Sequence, residues 1–262
     1  MRYIVDHDLH NHSLVSPCSR DSRQTKEAIF AYAMTNNYRL VGVSDHLWPD
    51  TREHIWTSLQ ELPSAEKCHM LAGAEVDMDM NGELLLHPEE HSNVDYFILA
   101  LTHLHLLGCV TDPAKAPLSL QDTADYLKER LNKAFVMDLP FERVGLAHFT
   151  TIPVPKGYTI SDCLALFSDE EFKTIFSTVA KLGMGVELNF DPNNYDETTL
   201  EQVLRPYKIA KEMGCKFYFG GDAHHPETFC HNRRKFEQIV DLLELTEDHK
   251  WEFVKQQIQK QA

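Results

Sequence analysis

No stretch of eighteen apolar residues occurs in these 262 residues, so no membrane-spanning helix is expected. No CxxC pair occurs either. The six cysteines, at positions 18, 68, 109, 163, 215 and 230, are irregularly spaced. In a chain of this length that pattern reads as reduced thiols in a cytoplasmic protein. The N-terminus lacks a basic and then apolar leader and carries a polar, acid-flanked segment instead, which argues against a secretory signal. Positive charge is scarce: 25 Lys and Arg face 40 Asp and Glu, a formal net charge of −15. Only short basic pieces such as Arg233-Arg234-Lys235 stand out. An extended nucleic-acid surface is therefore not expected, although a short oligonucleotide remains open as a substrate. The Gly-rich phosphate fingerprint of dinucleotide-binding folds is absent after the first apolar run. No repeat, linker or low-complexity segment divides the chain. With 43% hydrophobic residues it can build a sizeable core, and residues 1–262 read as a single domain.

What is present is alternation. Apolar runs of strand length are expected at 3–9, 40–44, 70–76, 94–101, 143–147, 185–190 and 216–219. Between them lie stretches with helical spacing at 24–35, 56–66, 118–134, 161–182 and 196–213, and an exposed terminal helix is expected at 252–261. Asn81-Gly82 reads as the turn of a small hairpin within 77–93. Strand and helix signals at this spacing imply βα units and parallel pairing. Seven such units favour a closed or nearly closed barrel over an open doubly wound sheet.

The stretch Asp8-Leu9-His10-Asn11-His12-Ser13 organises the rest. Two histidines one residue apart at a strand end point the same way, which makes half of a metal site. Further candidate ligands recur at strand ends: Asp45-His46, Glu75, His103, His148, and Asp222 with His224. In a barrel those C-terminal ends meet at one rim, where active sites form. Imidazole and carboxylate together suit zinc, iron or manganese. His105 is the alternative to His103 if the register shifts. His225 is expected to point away, His7 to pack, and Asp45 either to orient an imidazole or to cap a loop. His54, His69, His87, His91, His231 and His249 lack supporting context.

Taken in order, Asp8-Leu9-His10-Asn11-His12-Ser13, Ser44-Asp45-His46, Gly73-Ala74-Glu75, the strand into His103, Leu146-Ala147-His148 and Gly221-Asp222-Ala223-His224-His225 resemble the PHP (polymerase and histidinol phosphatase) family. The motifs span nearly the whole chain. The resemblance implies a distorted (β/α)7 barrel, TIM-like, with two or three divalent metal ions and phosphoester hydrolysis. By position it puts one ion on His10, His12, Glu75 and Asp222, a second on Glu75, His103 and His148, and a third on His46 and His224. Where the family often has another histidine, this chain has Cys18, either a thiolate ligand or an inert loop thiol that leaves the third position weak.

The expected chemistry is attack by a metal-activated hydroxide on a small phosphomonoester, histidinol phosphate among the candidates. Asp222 and His224 are the candidate catalytic groups, and Arg20, Lys156 and Arg233 the candidate phosphate contacts. Loops 47–57, 77–93 and 150–160 are expected to frame the pocket. Two other readings compete: an amidohydrolase-type enzyme, for which a lysine at a strand end is missing, and a non-catalytic metal-binding module.

Overall fold

The computed structural model describes residues 1–116 and 118–260. Its strands are β1 (His7–Asp8), β2 (Leu40–Val43), β3 (Ser64–Ala65), β4 (Cys68–Val76), β5 (Tyr96–Leu99), β6 (Val144–Leu146), β7 (Gly185–Leu188) and β8 (Lys216–Phe219). Seven of them pair in parallel in the order β1-β2-β4-β5-β6-β7-β8, while β3 pairs antiparallel with the start of β4. The α-helices are α1 (Lys26–Thr35), α2 (Arg52–Ser58), α3 (Leu120–Ala134), α4 (Ile160–Leu164), α5 (Asp169–Leu182), α6 (Glu197–Glu212), α7 (Phe229–Leu242) and α8 (Glu252–Gln259). The result is a nearly closed, distorted (β/α)7 barrel. Between β8 and β1 no ladder forms, and only isolated bonds such as Leu9 N to Phe219 O (2.8 Å) and Asp222 N to His10 O (2.7 Å) cross the seam.

Two apolar cores follow from strand alternation. Outward residues such as Val41, Val43, Phe97, Val144, Val186 and Phe217 pack under the helices. Inward residues Leu40, Leu71, Tyr96, Ile98 and Tyr218, joined by Trp251, fill the barrel itself. Such large aromatics need small neighbours. A Cβ on Gly73 would stand 2.5 Å from Tyr96 Cζ, a separation that forces the ring aside. Further along the same inward rows the chemistry changes: Leu71 and Gly73 lead to Glu75, and Gly185 leads to Glu187. The barrel is therefore apolar below and ionisable at the C-terminal ends of its strands.

Several expected boundaries differ. The first strand is only two residues long, because Tyr3 N bonds Leu245 O and Ile4 N bonds Glu247 Oε1, tying 3–4 to the C-terminal region rather than to β2. The helix expected at 56–66 instead occupies Arg52–Ser58. Pro63 disfavours helical geometry at Leu62, and Ser64–Ala65 turn back onto β4. The stretch 161–182 is two helices: Ser168 caps a fresh start, its hydroxyl accepting from Glu171 N while Glu171 reaches back. The small hairpin is present, with Gly82 at φ +80° and Met78 bridging Leu84. The terminal helix is not exposed. Phe253, Val254 and Ile258 are buried beside Trp251 against the barrel interior; Gln261 lies outside the described residues.

Candidate metal centre

The parallel register brings the strand ends together as the βα repeat requires. Glu75, at the inward end of β4, is fully buried and central. Its Oε2 lies 2.6 Å from His46 Nδ1, 3.4 Å from His12 Nε2 and 3.5 Å from His10 Nε2. Its Oε1 lies 2.7 Å from His148 Nε2 and 3.6 Å from His103 Nε2. Asp222 Oδ1 adds contacts at 3.1 Å to His12 Nε2, 3.5 Å to His10 Nε2 and 3.5 Å to His224 Nδ1. Four overlapping groups result: His10-Glu75-His148, His10-His12-Asp222, His46-Glu75-His103 and His12-His46-His224. Ligand atoms sharing a tetrahedral zinc ion at about 2.0–2.1 Å lie roughly 3.3 Å apart, and these separations bracket that value.

The outer nitrogens decide what the inner ones can do. His10 Nδ1 donates to Glu187 Oε1 at 2.7 Å, and His103 Nδ1 donates to Asp77 Oδ1 at 3.0 Å. His12 Nδ1 donates to Ser16 Oγ at 3.0 Å, because the Ser16 hydroxyl proton already goes to Asp45 Oδ1 at 2.7 Å. A neutral imidazole carries one proton, so each Nε2 is a bare lone pair. His10 Nε2 and His12 Nε2 nonetheless stand 3.0 Å apart, a separation that calls for a proton or a cation between them. His46 Nδ1 and Glu75 Oε2 are buried and 2.6 Å apart, yet neither completes a hydrogen bond among the described residues. Buried polar atoms are rarely left so.

The electrostatics agree. Burial pulls His10 down, but Glu187, Asp222 and Glu75 outweigh it and hold it well above its ordinary value. Burial alone would raise Glu75, yet His46, His10 and His103 hold it well below the carboxylate range. Asp222 is likewise held low by His10 and His12 against burial. His12 goes the other way, pushed well down by burial and by His46. The acids thus demand positive charge at this rim, whether protons or metal ions supply it.

Cys18 is exposed in the loop after β1. Desolvation pushes its thiol up, but the neighbouring His224 and His46 prevail and bring it down to about 6. His105 is exposed beside His103, and His225 is exposed. His7 is buried below the cluster, its Nδ1 donating to Asp6 and its Nε2 accepting from Phe219 N. Asp45 caps the loop through Ser13 and reaches His12 only through Ser16.

The three basic candidates fare differently. Arg20 is exposed near Cys18 in the loop after β1, and Lys156 lines a groove of about 640 Å³ with Leu104 and Pro153. Arg233 is not at the cluster: its guanidinium donates to Asn36 O and lies over Tyr38, because its place on α7 faces α1. A second groove of about 570 Å³ is walled by Trp48, Asp79 and Leu107. Trp48 stacks on His46 with ring centroids 4.4 Å apart, so this groove adjoins the cluster. Both grooves also use the loop after β5, which carries His103 but was not among the loops expected to frame the pocket. No role was assigned from the sequence to Glu187, Asp77, Ser16 or Thr102, whose hydroxyl lies 2.7 Å from His148 Nδ1. Glu187 had a legible signal, a carboxylate inside an otherwise apolar buried strand.

The sequence matches no model of a known family. It matches no curated protein. Solved structures do match. A histidinol phosphate phosphatase from Lactococcus lactis subsp. lactis Il1403, solved with zinc, L-histidinol and phosphate, superposes with a TM-score of 0.60 at 13% identity, over 92% of this chain and 94% of that one. The fold is shared. A candidate histidinol phosphatase from Listeria monocytogenes superposes with a TM-score of 0.56, also at 13% identity, over 85% of this chain and 96% of its own.

Proposed function

We propose that this chain is a metal-dependent phosphoesterase of the PHP type that hydrolyses a small phosphomonoester at the rim cluster. The observation that carries the proposal is the set of imidazole nitrogens converging on Glu75 and Asp222, with the outer nitrogens of His10, His12 and His103 fixed by hydrogen bonds. Paired lone pairs with fixed outer partners are how proteins prepare histidines for a metal ion. His10, His12, Glu75 and Asp222 would hold one ion, Glu75, His103 and His148 a second, and His46, His224 and Cys18 a third. Zinc, iron and manganese all suit this donor set, and the thiolate favours zinc. Bound ions would polarise phosphoryl oxygens and lower the pKa of a water toward neutrality.

The chain's own residues supply the rest. Glu187, Ser16 and Asp77 keep the rings in one tautomer and orientation. Asp222, held low, stays a carboxylate and cannot act as the acid. His224, partly exposed, with burial opposed by Cys18 and Asp222 so that its pKa is raised, is the group placed to protonate the leaving oxygen. Lys156 and Arg20 are the phosphate-side cations. A relative solved with L-histidinol and phosphate supports a small phosphorylated alcohol as substrate. The test is a phosphoester panel, short oligonucleotides included, run with zinc, iron and manganese and again after chelation. Metal-dependent release of phosphate from small monoesters is expected. Retained metal with no turnover of any ester would mean a non-catalytic metal-binding module instead.

A further inference from the structure

The three-residue group His10-His12-Asp222 straddles the open seam of the barrel. His10 and His12 follow β1, and Asp222 follows β8. No continuous ladder joins the two lips among the described residues, and single backbone bonds cross instead: Leu9 N to Phe219 O (2.8 Å), Asp222 N to His10 O (2.7 Å) and His12 N to Ala223 O (3.0 Å). Two backbone N–H groups near the end of β8 go to side chains of β1 instead: Phe219 N donates to His7 Nε2 at 3.2 Å, and Gly221 N donates to Asp8 Oδ1 at 2.8 Å.

Asp8 is fully buried and makes more than that one bond. Its Oδ1 also accepts from Asn11 Nδ2 at 3.1 Å and from His10 N at 3.3 Å. Its Oδ2 accepts from Tyr32 OH of α1 at 3.0 Å and from Asn232 Nδ2 of α7 at 3.4 Å. Lys235 of α7, buried with its Nζ on Asn189 O at 3.1 Å, faces Asp8 and Asp222 as their nearby cation. One carboxylate thus grips both lips of the seam and the two helices behind them. Gly221 permits the close approach, since a Cβ there would fall on Asn232 Nδ2 and lie 2.7 Å from Asp8 Oδ2. Asp222 follows directly at φ +51°, a conformation costing a non-glycine residue on the order of 1 kcal/mol unless its surroundings impose it.

We infer that Asp8 is a positioning residue that braces the few backbone bonds of the unsealed seam, and so tunes the spacing of His10 and Asp222 and the affinity of the cation position they share. The inference rests on the rim cluster being a cation site. It separates that position from the group His46-Glu75-His103, which does not use His10 and whose strands β2, β4 and β5 are joined by continuous ladders.

The experiment titrates the full-length protein with cobalt(II) and zinc(II) in competition with a chelator. It compares wild type with Asp8→Ala, Asp8→Asn and Gly221→Ala, and follows the thermal midpoint of each metal-free protein. Asp8→Ala is expected to lose about 10–100-fold in affinity at one cation position and to leave another near its wild-type value. Asp8→Asn keeps an acceptor for Gly221 N and is expected to rescue most of the loss. Gly221→Ala, which pushes the lip away, is expected to resemble Asp8→Ala. A merely structural role would lower the thermal midpoint without separating the two positions. Equal weakening at all positions, unchanged affinity, or an Asp8→Asn as damaged as Asp8→Ala would each overturn the inference alone. A wild-type protein that binds no cation would overturn it together with the functional proposal.

Discussion

At the scale of single residues the account turns on His10 and Asp222. Replacing either by Ala removes one face of the proposed cation position and leaves the backbone bonds across the β1–β8 seam intact. Phosphomonoester turnover is expected to fall by more than about 100-fold, with the circular dichroism spectrum unchanged; wild-type rates in either variant would refute the assignment. Cys18 is tested separately. With cobalt(II) bound, a thiolate ligand gives a near-ultraviolet charge-transfer band that Cys18→Ser should lack. The same band in both proteins would return Cys18 to an inert loop thiol. Protons must also compete with metal. His10 is held above its ordinary value, so in the metal-free fold it keeps its proton to higher pH and must give it up to ligate. Zinc affinity should therefore weaken as pH falls, for example between about pH 8 and about pH 6, with proton release on binding. Zinc titration at those two values, with the released acid measured, checks the sign.

At the scale of elements, α8 plugs the barrel. An exposed helix would tolerate Phe253→Ala within about 0.5 kcal/mol. A buried one should lose about 3–5 kcal/mol, because the cavity term adds to the lost burial; urea unfolding distinguishes the two. Ser168→Ala should cost about 1 kcal/mol by removing the cap of α5. These two elements also show why part of the fold was legible and part was not. The Ser168-Asp169-Glu170-Glu171 spacing is a local capping signal, visible in sequence though overlooked inside a long helical pattern. The burial of α8 is not local: Phe253, Val254 and Ile258 are buried because Trp251 and the inner residues Leu40, Leu71, Tyr96 and Tyr218 meet them. The same holds for β1. Tyr3-Ile4-Val5 has strand composition, but its backbone bonds go to residues 245–247.

At the scale of the whole molecule, the site was more legible than the boundaries. A parallel βα repeat delivers every strand to the same rim whatever the exact strand lengths, so HxH, DH, E, H, H and DxH could be placed together from spacing alone. What spacing could not supply was the partner of each outer nitrogen. Glu187 lies 177 positions from His10, and only barrel closure brings them to 2.7 Å. Arg233 shows the converse: its neighbours in sequence flank the motif, while its helix turns it toward Asn36 and away from the cluster. The most direct measurement is anomalous diffraction from crystals grown with zinc, collected on both sides of the zinc absorption edge. The account predicts peaks among His10, His12, Glu75 and Asp222 and between Glu75, His103 and His148, within about 2.0–2.3 Å of the ligand atoms. A map with no peak at the rim, and those side chains satisfied by protons alone, would contradict it.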